Sequence, residues 1–216
     1  MQKIVITKKG YNHDMATKRT KRRVIRNPSS GAGAISTEQG LAAAMEVLRL
    51  AASLDVDCAL CGGIAMQVYG FTRATKDVDF IAAELLPLAR TRRLNFGGEA
   101  YSVKVGRKDI EIDWIVRSDD KQEVYESALA DAVIIEPEGL PIITPEWMVI
   151  VKNFAGRGKD YLDLLWLLRE PGLVNRKLVE KHVKKLFGRF AFAVLGDLES
   201  LYLEADLMRA RDEMGE

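Results

Sequence analysis

Two aspartates, Asp77 and Asp79, alternate in the stretch running from Lys76 to Phe80. On a strand, residues two apart share a face, so both carboxylates project together while Val78 and Phe80 face the opposite, apolar side. Like charges this close repel and tend to hold a proton unless a cation lies between them. A hard divalent ion meets that need, because Mg²⁺ takes oxygen ligands and keeps waters that substrate phosphates can replace. Taken alone, an Asp-x-Asp fits equally a solvated strand face with Asp77 paired to Lys76 or Arg73. The balance shifts with Gly62-Gly63, which ends one apolar strand and opens a helix. Glycines there let backbone N–H groups approach a phosphate, and the helix N-terminus adds a favourable dipole.

A third acid comes from a later strand, in which Asp109, Glu111 and Asp113 alternate with Ile110, Ile112 and Trp114. All three acids share one face. If that strand lies beside the Asp77/Asp79 strand, one of them completes a metal site and accepts the proton of an attacking hydroxyl. Asp113, followed by the apolar run Trp114 to Val116, is the first choice and Glu111 the second; a half-exposed strand explains the alternation equally well. Arg73 and Thr75 stand just before the acidic strand, where their side chains can meet a triphosphate or its metal. Tyr69 and Phe71 fit either base stacking or a core.

These groups need elements to position them. Ser36 and Gln39 fit a capping box, and Leu41, Met45, Leu48 and Ala52 recur at helical spacing behind it. Strands are expected at Asp57 to Cys61 and Val78 to Ala82, with a helical segment at Ile64 to Tyr69 between them. A helix is expected over Glu84 to Leu94, then a hairpin of Tyr101 to Val105 and Asp109 to Val116 turning at Gly106-Arg107, and a helix from Lys121 to Ala130. The segments near 133 to 144 read as edge strands or extended chain, with Pro137 and Pro141 limiting the pairing. From Thr144 the pattern turns helical: Thr-Pro-Glu supplies a cap, a proline at the first helical position and an acid near the positive helix end. Helices are expected at Pro145 to Ala155, Lys159 to Arg169, Arg176 to Phe187 and Ala191 to Arg211. The fold class is therefore α/β of the α+β kind, a small mixed β-sheet flanked by helices, with a C-terminal helical annex. The expected divisions are 1–35, a basic N-terminal extension without order of its own; 36–144, the α/β core; and 145–216, the helical region.

Within the annex, Lys152 lies on the capped helix, and Gly156 and Gly158 interrupt the chain so that Arg157 and Lys159 are presented from a tight connection. Asp160 and Asp163, three apart, share a face of the next helix. This is a phosphate-handling surface, or else Asp160 serves its helix's N-terminus and the basic residues are solvated.

Composition narrows the classes. The 216 residues are 48% hydrophobic, enough for one substantial core, and carry a net charge of +1. That near-neutrality hides an asymmetry, since the first 26 residues hold nine Lys/Arg against Asp14 alone, leaving 23 basic and 30 acidic residues elsewhere. The run Lys18 to Arg23 fits either contact with a polyanion such as RNA or a solvated arm. No apolar run suits a membrane span and the start lacks a secretory pattern, so the expected location is cytoplasmic, with no membrane partner. Cys58 and Cys61, the only cysteines, point to opposite faces of a strand, and the two histidines lie far away in sequence. Two buried thiols are favoured over a zinc or redox site.

Gly62-Gly63, thirteen intervening residues, Asp77-Val78-Asp79-Phe80 and later Ile112-Asp113-Trp114 resemble the signature of the DNA polymerase beta type nucleotidyltransferase superfamily. The fuller run, Gly-Gly-x-Ala through Tyr69-Gly70-x-x-Arg73-x-Thr75-x-Asp77-x-Asp79, is closer to its bacterial branch of AbiEii-like toxins of type IV toxin-antitoxin systems and their relatives. Lys152-x-x-Ala155-Gly156-Arg157-x-Lys159-Asp160-x-x-Asp163 resembles that branch's second block, so the likeness spans approximately residues 40 to 170. It implies a nucleotidyltransferase core, Asp77, Asp79 and Asp113 as ligands of two Mg²⁺ ions, and Lys152 beside those three aspartates as a catalytic residue. Nucleotide or phosphate binding falls to Gly62, Gly63, Arg73, Thr75, Arg157 and Asp160. A nucleoside monophosphate would pass from a nucleoside triphosphate to an acceptor hydroxyl, with RNA or a tRNA end as the implied acceptor and a cognate antitoxin as a partner. One departure is plain: members with Gly-Ser use a serine hydroxyl near the phosphates, where Gly63 offers only backbone. The alternatives are a small-molecule nucleotidyltransferase of the antibiotic-modifying type and a non-catalytic protein that binds nucleotide or a partner on the same fold.

Overall fold

The computed structural model describes residues 6–7, 33–71 and 73–214. The basic run at Lys18 to Arg23 lies outside them, as does most of the 1–35 extension. Two compact units divide the chain, Met1–Ile143 and Thr144–Glu216.

The first unit is a mixed sheet with helices. Its strands are β1 (Ile6–Thr7), β2 (Cys58–Cys61), β3 (Asp77–Ala82), β4 (Arg92–Arg93), β5 (Glu99–Val105), β6 (Lys108–Ile115), β7 (Val133–Ile135) and β8 (Leu140–Ile142), in the spatial order β1-β7-β8-β2-β3-β6-β5-β4. The β2–β8 and β3–β6 pairs are parallel and the others antiparallel. The helices are α1 (Thr37–Ser53), α2 (Gly62–Val68) and α3 (Gln122–Ala130).

Binary patterning of the two central strands positions the site. Val78 pairs with Ile112 and Phe80 with Trp114 across the β3–β6 ladder, and all four are buried. The Phe80 and Trp114 rings lie 5.4 Å apart. Each such side chain contributes about 1.5–3 kcal/mol by leaving water, and an aromatic pair about 0.5–1.5 kcal/mol more. Because side chains alternate, burying this face forces the intervening acids onto the other. β5 and β6 form the expected hairpin, with Val105 paired to Lys108.

Local signals held at α1, where Ser36 and Gln39 form the capping box in both directions. Its buried stripe differs from the expected one. Gly40, Ala43, Ala44, Val47 and Ala51 face inward while Ala52 is exposed. Small residues win that face because close approach demands it: a Cβ on Gly40 would lie 2.2 Å from Ile64 Cδ1.

Two expectations are corrected. Residues 84–94 form no helix: Pro87 interrupts the segment, and tertiary partners take its backbone groups. Trp114 Nε1 donates to the Glu84 carbonyl at 2.7 Å, Leu86 N donates to the Tyr101 hydroxyl at 3.2 Å, and that hydroxyl in turn donates to the Leu86 carbonyl. The chain then runs extended into β4. Nor does the 133–144 segment supply edge strands, since β8 lies between β7 and β2. Pro141 is tolerated because β8 is three residues long and meets β2 through Ile142 and the Ile143 N–H, which donates to Leu60 O.

The second unit is helical: α4 (Pro145–Ala155), α5 (Gly158–Arg169), α6 (Arg176–Phe187), a 3₁₀ turn at Gly188–Phe190, and α7 (Ala191–Met214). Thr144 caps α4, its hydroxyl accepting from Trp147 N, with Pro145 in the first turn. Among the described residues no helix is long and apolar enough to cross a membrane.

Candidate metal centre

β3 and β6 run parallel, in a register that sets Asp79 opposite Asp113 and Asp77 opposite Glu111. Among the described residues, one carboxylate oxygen each from Asp77, Asp79 and Asp113 can be chosen so that all three lie within 4.8 Å of one another. Asp113 is buried, Asp77 and Asp79 half-buried. Three hard oxygen donors at this spacing match the chemistry of a divalent cation such as Mg²⁺.

Neighbouring groups hold the two β3 carboxylates. Thr75 Oγ1 donates to Asp77 Oδ1 at 3.0 Å, and Gly63 N donates to Asp79 Oδ2 at 3.3 Å. Thr75 is itself fixed by an isolated bridge in which Ile35 N donates to its carbonyl. Gly62 and Gly63 are explained by crowding. Gly62 has φ +63°, and a Cβ there would lie 1.9 Å from Asp79 Oδ2; at Gly63 it would lie 2.5 Å from Thr75 Oγ1 and 3.5 Å from Arg73 Nη2. Gly62, Gly63, Arg73, Thr75, Asp77, Asp79 and Asp113 therefore meet around the β2–α2 turn, the start of β3 and the C-terminal half of β6. Tyr69 is tied to backbone, its hydroxyl donating to Ile143 O at 2.6 Å.

A cation the sequence reading passed over joins them. Arg92 Nη2 donates to Glu111 Oε1 at 2.8 Å and to Asp113 Oδ1 at 2.7 Å, while its Nε reaches the same Glu111 oxygen at 3.3 Å. Arg92 fell in the segment expected as a helix, where nothing local points it toward β6. Burial pushes the Asp113 carboxyl up to about 6, with the charges of Asp77 and Glu111 acting in the same direction and Arg92 against them. A carboxylate so placed is a proton acceptor near neutral pH.

The second unit holds a charge cluster on α4 and α5. Lys152, only 4% exposed, donates from Nζ to Asp163 Oδ2 at 2.5 Å and to Asp160 Oδ1 at 3.4 Å. Arg157 forks onto Asp160 through Nε and Nη2 at 2.6 and 3.1 Å. Burial opposes the Asp160 charge, yet the hydrogen bonds from Arg157 and the charge of Lys152 hold the carboxyl below its usual range. Cys58 and Cys61 are both buried on β2.

No protein-family model matches the chain, and no curated protein matches it. Among solved structures it is similar to the crystal structure of an antigenic nucleotidyltransferase-like protein from Paracoccidioides brasiliensis, at 18% identity and a TM-score of 0.46, over 79% of this chain and 94% of that one. The chemistry open to the cluster is accordingly that of its own residues, three converging carboxylates and the groups that hold them.

Proposed function

We propose that this chain is a metal-dependent nucleotidyltransferase that moves a nucleoside monophosphate from a nucleoside triphosphate to an acceptor hydroxyl and releases pyrophosphate. The observation that carries the reading is the convergence of Asp77, Asp79 and Asp113 beside the Gly62-Gly63 backbone. The three carboxylates would hold Mg²⁺, which when bound neutralises triphosphate charge and polarises the phosphoryl group. Thr75 and the Gly63 N–H fix the Asp77 and Asp79 carboxylates before substrate arrives, which lowers the reorganisation needed on binding. The acceptor oxygen bonds to the α-phosphorus, the bond from that phosphorus to the β-phosphate oxygen breaks with its electron pair leaving on pyrophosphate, and the hydroxyl proton passes to the Asp113 carboxylate.

The finer reading is an RNA or tRNA end as acceptor and a place in a type IV toxin-antitoxin system. The sequence resemblance and the basic run Lys18 to Arg23 support it. Assignment of Arg73, Lys152, Arg157 and Asp160 to phosphate handling rests on the same resemblance.

The test is incubation of the protein with Mg²⁺, each labelled nucleoside triphosphate in turn, and total RNA. Label should move to RNA, and Asp77→Asn should reduce transfer to background. Label recovered in small molecules instead would reassign the acceptor. No transfer to any acceptor, with nucleotide binding intact, would leave a nucleotide-binding protein in place of an enzyme.

A further inference from the structure

Arg92 belongs to no motif, yet it spans two strands to reach the cluster. It pairs with Ala100 on β5, Ala100 pairs with Asp113 on β6, and Asp113 pairs with Asp79 on β3. Directly opposed residues share a face, so Arg92, Ala100, Asp113 and Asp79 form one row across the sheet. Adjacent strands lie about 4.8 Å apart, so the Arg92 backbone is about 10 Å from that of Asp113, a span only a long side chain covers. The buried methyl of Ala100 leaves the path open.

We propose that Glu111 and Arg92 form a positioning pair for Asp113: Glu111 anchors the guanidinium, and Arg92 fixes the third metal-binding carboxylate. The proposal rests on the metal reading of the cluster. Two guanidinium nitrogens, Nε and Nη2, converge on Glu111 Oε1, which sets the plane of the fork, and Nη2 then engages Asp113 Oδ1. Asp113 still offers a carboxylate oxygen to the cluster with Asp77 and Asp79. Carboxylates that bind metals are themselves held by hydrogen bonds, and loss of such a partner typically weakens metal affinity. Arg92 is 45% exposed, so it is reachable by solvent and its removal empties no core. Glu111, second choice as a ligand on sequence, becomes the anchor, because the three converging oxygens come from Asp77, Asp79 and Asp113.

Mn²⁺ titration of the full chain followed by electron paramagnetic resonance tests this without reference to turnover, with Asp77→Ala as the control. Arg92→Ala should weaken Mn²⁺ binding about tenfold. Arg92→Lys, which keeps one donor but not the fork, should recover part of the loss. Glu111→Ala should weaken binding less, and the Arg92→Ala/Glu111→Ala double variant should bind as Arg92→Ala does, since Glu111 acts through Arg92. Unchanged or tighter binding in Arg92→Ala overturns the proposal, as do Glu111 and Arg92 effects that simply add, which would make Glu111 a ligand itself. If Arg92→Ala loses its folded circular dichroism spectrum, Arg92→Lys and Glu111→Ala carry the test. Wild-type protein without Asp77-dependent Mn²⁺ binding removes the metal reading and this pair together; Asp77-dependent binding indifferent to Arg92 removes the pair alone.

Discussion

A methyl group on residue 62 would lie 1.9 Å from Asp79 Oδ2 at a φ of +63°, so Gly62→Ala forces both backbone strain and displacement of a candidate ligand. It should lower stability by about 1–3 kcal/mol and weaken Mn²⁺ binding, read by denaturant unfolding and metal titration on the same sample. Residue 63 differs in kind. Its Cβ would meet Thr75 Oγ1 at 2.5 Å and Thr75 Cβ at 2.8 Å, so serine is excluded there by the threonine that holds Asp77. Gly63→Ser should therefore destabilise, and Thr75→Ala in the same chain should recover part of the loss, a coupling that a double-mutant cycle measures. Equal unfolding of Gly63→Ser and wild type would contradict the crowding. At this scale Asp77, Asp79 and Asp113 were legible because strand alternation alone assigns a face. Arg92 was not, because its role depends on a register across β4, β5 and β6 that no short window of sequence contains.

Elements whose ends are set by local chemistry were readable as such. The Ser36/Gln39 box and the Thr144-Pro145-Glu146 start place α1 and α4, since caps act within one turn. The 84–94 segment failed because its backbone partners, Tyr101 and Trp114, come from strands further along the chain. The join of α4 to α5 raises a sharper question, because Lys152 is a buried cation between Asp160 and Asp163. Lys152→Met would leave those carboxylates without their shared partner, and removing one member of a buried ion pair costs about 3–5 kcal/mol. Thermal unfolding followed by circular dichroism should show that loss. A Lys152→Met protein as stable as wild type but unable to transfer label would instead make the lysine's contribution chemical. The pH dependence separates the two further. The Asp160 carboxyl is held below its unfolded value, so its stabilisation is present above that value and fades as pH falls through the folded one. Lys152→Met should flatten the acid limb of a stability profile.

Charge over the whole molecule opposes its proposed acceptor. Outside the first 26 residues, 30 acidic side chains outnumber 23 basic ones, and the candidate centre brings together Asp77, Asp79 and Asp113, with Glu111 joined to Asp113 through Arg92. A polyanion approaching that surface is repelled unless something cationic holds it. The nine Lys/Arg of the first 26 residues are the largest such concentration in the chain. Replacing Lys18, Arg19, Lys21, Arg22 and Arg23 with glutamine should weaken single-stranded RNA binding and flatten its salt dependence. Each lost phosphate contact removes about 0.7 from the slope of log affinity against log salt, so the slope should fall by about 3.5 if all five make contact. Fluorescence anisotropy at several salt concentrations reads this directly. Mn²⁺ affinity should be unchanged, because the cluster's ligands and the described groups that hold them all come from residues 35 to 113. An unaltered salt slope would mean that the basic run makes no RNA contact.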